Sequence, residues 1–305
     1  MVFEILWIPV SLSDGLVKRG EMMFKIAKIQ IIFLLVWMQT IALIGFSQPQ
    51  EKGDFFNTKE KIELSEKDIA EIIKCFETNN LPKLVETFKS KMPPPVTENK
   101  VREEILQNLP AIVKKLKINN SEIIESFRRI VAPVLDFYGR LNVYEIIVIH
   151  HQTPVMFSDS GVVLVISSGM IERMQNDDVL LGFVAHELAH EYFAKASIHT
   201  KYVIGLTESE NEYKALTRKY QESLSLIELQ CDSFSALTLA DFGYNPLAFI
   251  EEIENIEKEY PNFVGTFHPN PTIRRKVVES ILTGTKISTE NKISTELQKL
   301  KKMLK

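Results

Sequence analysis

The chain has 305 residues, 45% of them hydrophobic and 25% charged, the composition of an ordinary globular protein with room for one sizeable core. Its net charge of −4 leaves no basic excess, which argues against a nucleic-acid partner.

The N-terminus comes first in chain order. Lys25 and Lys28 precede an apolar run from Ile29 to Phe46, which ends at Ser47 before Gln48-Pro49-Gln50. Gly45 and Ser47 are small residues at the minus-three and minus-one positions of a cut after Ser47, so residues 1–47 read as a secretory leader. An uncleaved anchor is the alternative, because the run is near spanning length, although Gln30, Gln39 and Thr40 weaken it. The basic stretch lies far from Met1, and Met22 or Met23 is the expected start. The remainder is then expected outside the cytoplasm: periplasmic or extracellular, or held by a single-pass anchor. Membrane contact is expected only through an uncleaved leader.

Gln48 to Thr58 is polar. Ser65 to Phe88 has helical periodicity, with Ile69, Ile72, Ile73 and Phe76 on one side, and Asn79-Asn80 with Pro82 divides it into two helices. Pro93-Pro94-Pro95 is a stiff break that closes an N-terminal helical segment, 48–100. Helical character resumes from Val101 to Phe137, with an interruption at Asn119-Asn120. Leu141 to Ile149 and Val162 to Ser167 are rich in apolar and β-branched residues and predict strands, with turns over Gln152 to Gly161. His150 and His151 are expected as polar strand-end residues.

Val184 to Glu191 reads V-A-H-E-L-A-H-E. Val179, Leu180, Phe183, Val184 and Leu188 recur at helical spacing, Asn176 can cap the start, and Asp177 with Asp178 suits the positive end of the dipole. The spacing predicts a mostly buried amphipathic helix. On it His186 and His190, at i and i+4, lie on one face and can reach one metal ion, with Glu187 beside them as a base. His199, shortly after, is assigned no role. Zinc needs a third protein ligand and leaves the fourth position for water. Glu228 and Asp232 form a second i, i+4 pair on a helix from Tyr220 to Phe242 that Gly243 ends. Glu228 is the expected third ligand, and Asp232 is placed to accept a hydrogen bond from the outer nitrogen of a ligating histidine. Cys231 between them reads as a small hydrophobe, with a bridge to Cys75 as the alternative in an exported protein. His268-Pro269-Asn270-Pro271 is a loop entering a helix, capped by Asn270 with Pro271 in the first turn. From its surroundings alone His268 is either an ordinary loop histidine or a site residue. The tail 284–305 repeats Lys-Ile-Ser-Thr-Glu at 286–290 and 292–296 and is Lys-rich, which predicts a solvated helix.

The elements together predict an α+β fold, a small sheet beside a helical body. The motifs at 184–191, 228–232 and 268–274 (H-P-x-P-x-x-R), with Asp241 to Ala248 and Val162 to Ile171, make residues 135–283 resemble the HtpX-like and CAAX prenyl protease-like zinc endopeptidases. That is peptidase family M-forty-eight, here its soluble periplasmic Bep- and Oma-type branch. The resemblance implies a gluzincin-type peptidase domain over 101–283 with one zinc ion on His186, His190 and Glu228. It implies Glu187 as base, Asp232 as outer partner, His268 near the metal as an oxyanion donor or a resting-state cap, and Arg274 orienting the 268–274 loop. Relatives carry Asn-Ala on the edge strand that binds substrate backbone; the corresponding stretch here is Pro154-Val155-Met156-Phe157. The implied activity is endopeptidase cleavage of exported or envelope proteins, in protein quality control. The alternative is a zinc-containing binding or chaperone-like protein of the same fold.

Overall fold

A computed structural model describes residues 63–193, 210–260 and 268–305, with side chains in the helix after 210 described from 218 onward. The expected leader with its cut after Ser47, the starts at Met22 or Met23, the polar stretch at 48–58 and His199 lie outside the described residues.

Helices α1 (Glu66–Phe76) and α2 (Leu81–Lys91) divide where the sequence divides them. Asn80 Oδ1 accepts from Lys83 N at 3.1 Å and Pro82 sits in the first turn, so the second helix starts with its orphan donors already answered. The region expected as one interrupted helix forms three: α3 (Asn99–Gln107), α4 (Ala111–Leu116) and α5 (Ser121–Phe137). The additional break falls before Pro110, which supplies no N–H and biases Leu109 away from helical backbone. The expected break at Asn119-Asn120 is present, and Asn120 Oδ1 caps α5 through Glu122 N and Ile123 N.

Strands β1 (Glu145–Ile149), β2 (Met156–Asp159) and β3 (Val163–Ser167) form one sheet in the order β1-β3-β2. β1 runs parallel to β3, and β2 runs antiparallel to it. The 152–161 stretch, expected as turns, therefore contains a strand. Ser160 and Gly161 turn it with φ of 55° and 67°. All five residues of β3 are buried, because the sheet is covered on both faces. Side-chain alternation sends Ile146, Val148, Met156, Leu164 and Ile166 into the main core. Ile147, Ile149, Val155, Phe157, Val163 and Val165 go the other way, onto Ile105, Leu109 and Val113 of the α3–α4 region. A sheet beside a helical body was expected; the second, smaller layer was not.

The remaining helices are α6 (Ser168–Arg173), α7 (Asp177–Phe193), α8 (Glu210–Asp241), α9 (Pro246–Glu259), α10 (Pro271–Leu282) and α11 (Thr295–Leu304). α7 carries the H-E-x-x-H run, and Asn176 Oδ1 caps it through Val179 N at 3.0 Å. It is not amphipathic. It is buried from Asp178 to Ala189 on all sides but Phe183, packed among α5, α8, α9 and β2, as expected of a helix running through a core. Gly182 lets α9 approach, since a Cβ there would lie 2.5 Å from Phe249 Cβ. Ser235 Oγ on α8 donates to Gly182 O at 2.7 Å.

The tail is docked, not solvated. Leu297 and Leu300 of α11 are buried against the core. Asp177 and Asp178, expected only to complement the helix dipole, also fasten the tail: Ser294 N and Oγ donate to Asp177, and Lys292 N donates to Asp178 Oδ2 at 2.6 Å. Among the described residues no helix is long and apolar enough to cross a membrane. Cys75 is exposed, Cys231 is buried, and both are free thiols.

Candidate metal centre

Two helices lying side by side build the site. α7 supplies His186, Glu187 and His190; α8 supplies Glu228 and Asp232; the segment entering α10 supplies His268, and α10 itself supplies Arg274. The structure brings every site residue expected from the sequence into this one cluster.

His186, His190 and Glu228 each offer one donor atom, and these atoms lie within 4.8 Å of one another. His186 Nε2 is 3.2 Å from Glu228 Oε2, and His190 Nε2 is 3.6 Å from Oε1. Ligands about 2.1 Å from a tetrahedral zinc ion stand about 3.4 Å apart, and each imidazole nitrogen lies near that distance from one or the other Glu228 oxygen. Glu228 Oε2 is buried and takes part in no hydrogen bond of good geometry, although His268 Nε2 also lies 3.4 Å away. A buried carboxylate oxygen left in that condition is costly, and a cation shared with the imidazoles removes the cost. The donor set, two imidazole nitrogens and a carboxylate, suits a borderline divalent metal. These three residues can hold a metal ion.

The outer contacts are denser than the inner ones. His186 Nδ1 faces Asp232 Oδ1 at 3.0 Å. Arg274 then grips Asp232 with two bonds, Nε to Oδ2 and Nη2 to Oδ1, each 2.6 Å. The resemblance implied that Arg274 orients the 268–274 loop; its guanidinium also fixes the carboxylate behind His186, which joins α10 to α8. His190 Nδ1 faces Cys231 Sγ at 3.5 Å. His150 and His151 are exposed at the end of β1 and stand apart from the site, as expected.

Burial and charge compete at each group. Burial disfavours the charged form of His186, but Asp232 and Glu228 outweigh it and push its pKa up to about 10. His190 lacks a comparable partner, and burial takes its pKa down to about 4. Burial also lowers His268. Burial would raise Glu228 and Asp232, but the surrounding imidazoles hold Glu228 well below the usual carboxylate range, and Arg274 with His186 lowers Asp232. Burial drives Glu187 up to about 7. The Cys231 thiol is pushed well up by burial and by the nearby carboxylates.

Comparison with models of known protein families finds no match, and comparison with curated proteins finds none.

Three contacts escaped the sequence. Ser158 N donates to Glu187 Oε2 at 2.9 Å, and Ser158 Oγ lies 2.9 Å from Glu187 O and 3.2 Å from Oε2. The bond from Ser167 N to Val155 O marks that pair as hydrogen-bonded, so Phe157 and Asp159 also bond β3. Met156 and Ser158 then direct their main-chain groups to the open edge, and Ser158 N meets Glu187 there. The edge-strand resemblance stopped one residue short of it. Second, Glu191, the last residue of V-A-H-E-L-A-H-E, is half-buried against Arg140 and Tyr144. Arg140 Nε donates to it at 3.0 Å, Tyr144 OH also donates, and Gly161, at φ 67°, comes close enough that a Cβ there would lie 2.7 Å from Oε2. An acidic residue closing the motif was a visible signal, but its partners lie about fifty positions away in sequence. Third is the Cys231 contact, which no pattern announces.

Proposed function

We infer that the chain is a zinc-dependent endopeptidase of the gluzincin type, acting on exported or envelope proteins in the manner of the HtpX-like and CAAX prenyl protease-like enzymes. One observation carries this: a base candidate, Glu187, sits on the same buried helix turn as two imidazoles that converge with Glu228 on one point. Glu228 Oε2, buried without a proper hydrogen bond, supports zinc on His186, His190 and Glu228. Zinc there supplies a Lewis acid that polarises a carbonyl and lowers the pKa of water.

The chain's own residues do the rest. Glu187, with a pKa near 7, accepts a proton from the attacking water at Oε1 or Oε2 and returns it to the leaving amine. Ser158 fixes the rotamer of Glu187 through its N–H and Oγ. Asp232, held by Arg274, orients His186. His268, with Nε2 3.4 Å from Glu228, stands where it donates to an oxyanion or closes the site at rest. An extended substrate has the outward main-chain groups of Met156 available on the β2 edge.

The second reading, a zinc-containing binding protein, is favoured by the Ser158–Glu187 contact, which already occupies one outward N–H of that edge. Cleavage of an unfolded protein by the purified, zinc-loaded chain is the test, with Glu187→Gln beside it. Cleavage by the parent alone, with zinc retained in both, is expected. Zinc bound without cleavage by either, and still without cleavage once His268→Ala has removed a resting-state cap, overturns the peptidase in favour of the binding protein. His268→Ala with unchanged activity and zinc content removes that residue from the site.

A further inference from the structure

Both histidines of the H-E-x-x-H pair turn Nε2 toward Glu228, and each therefore turns Nδ1 toward the next stretch of α8. His186 meets Asp232; His190 meets Cys231, the residue immediately before it. Residues 228, 231 and 232 share one face of α8, so a single helical turn answers the inner nitrogens with one side chain and the outer nitrogens with two.

We propose that Cys231 is the positioning residue of His190: its sulfur accepts the Nδ1–H and holds the imidazole in the tautomer that leaves the Nε2 lone pair for the metal. The proposal rests on His186, His190 and Glu228 being the metal ligands. An imidazole that gives Nε2 to a metal must carry its proton on Nδ1, and inside a protein that N–H needs an acceptor. Cys231 is fully buried, and its Sγ stands 3.5 Å from the nitrogen in question, within the longer reach of a sulfur acceptor. The sulfur is not a fourth ligand, because it lies on the Nδ1 side of the ring while the three donors meet on the Nε2 side.

The two histidines are thereby held unequally. His186 has a carboxylate locked by an arginine behind it and a side chain 7% exposed. His190 has a thiol, a weaker acceptor, and a side chain 30% exposed. His190 is the ligand that water can reach and that the protein grips less firmly. Cys231 sets how firmly.

The test uses the full chain with ¹⁵N-labelled histidine, as wild type and as Cys231→Ala, Cys231→Val and Cys231→Ser. Valine keeps the volume without an acceptor, and serine keeps an acceptor. The His190 signals are assigned by their loss in His190→Gln. Long-range ¹H–¹⁵N spectra read the tautomer and the exchange protection of Nδ1–H, and a competing chromophoric chelator reads zinc affinity. The zinc-loaded wild type should show a protected His190 Nδ1–H. Alanine and valine should lose that protection and about tenfold in zinc affinity, the lower end for an outer partner of a ligating histidine, and serine should recover part of both. Unchanged protection and affinity in both alanine and valine variants would reduce Cys231 to packing. If wild type binds no zinc, the metal assignment fails and takes this proposal with it. That result is distinct from zinc-binding wild type with indifferent Cys231 variants.

Discussion

Replacing Arg274 by Met should destabilise the protein far more than replacing its neighbour Arg275. Arg274 and Asp232 are a buried pair, with side chains 5% and 0% exposed, joined by two bonds of 2.6 Å. Removing one member of such a pair strands the other charge and costs about 3–5 kcal/mol. His186, next to Asp232, offsets part of that by carrying a proton, so about 3 kcal/mol is expected. Arg275 bonds Glu254 at 2.7 and 2.9 Å, but both side chains are between a fifth and a third exposed, and its loss should cost about 0.2–1 kcal/mol. With a urea slope of about 3 kcal/mol per molar, the midpoint moves by about 1 M for Arg274→Met and by about 0.3 M or less for Arg275→Met. Equilibrium urea unfolding of the metal-free protein measures both. Adding Asp232→Asn to Arg274→Met removes the stranded charge and should recover part of the loss. Equal midpoints for the two single variants would refute the claim that Arg274 locks the carboxylate behind His186.

Three further outcomes follow from other parts of the molecule. Glu296, which accepts from Ser126 and from Arg129 Nε at 3.0 Å, has its pKa lowered by these bonds. A carboxyl depressed on folding adds stability above its unfolded pKa, about 4.3, and loses it as pH falls through the folded value. Glu296→Gln should therefore melt earlier than wild type at pH 7, with the gap closing below about pH 4; a gap independent of pH would contradict the linkage. Gly169→Ala would put a Cβ 1.9 Å from Gln152 O, a clash with backbone that no rotamer relieves. It should cost about 3 kcal/mol, read by thermal melting, and an unchanged melt would contradict the close approach. Zinc at about a hundredfold over its Kd should stabilise the chain by about 2.7 kcal/mol in a thermal shift assay. A chelator, or Glu228→Ala, should abolish that gain, and a gain surviving in Glu228→Ala would place the metal elsewhere.

Local spacing alone determined a good deal. The i, i+4 geometry of a helix places His186 over His190 and Glu228 over Asp232 in any structure in which those segments are helical, and the caps at Asn80, Asn120, Asn176 and Asn270 act within three residues of themselves. Such features need no distant partner, which is why they were legible. That the two pairs meet in one centre was expected from zinc's need for a third protein ligand, and the packing of α7 against α8 brings them together. What covers each element was not legible at all. α7 looked amphipathic because its surroundings are invisible from within it. Ser158 reaches Glu187 because sheet register turns its N–H to the open edge, and Arg140 reaches Glu191 across 51 positions.

The tail shows the division most plainly. The same pentapeptide, Lys-Ile-Ser-Thr-Glu, occurs at 286–290 and 292–296 with the same intrinsic preferences. The first copy has no regular structure; its Ile287 is half-buried against the core and its Ser288 bonds only Glu290. In the second, Ser294 caps α11 and bonds Asp177, while Glu296 meets Ser126 and Arg129. Sequence set what either copy could do. Only the second stands against the start of α7 and the flank of α5, and partners supplied by the tertiary fold, not propensity, decided which copy became structure.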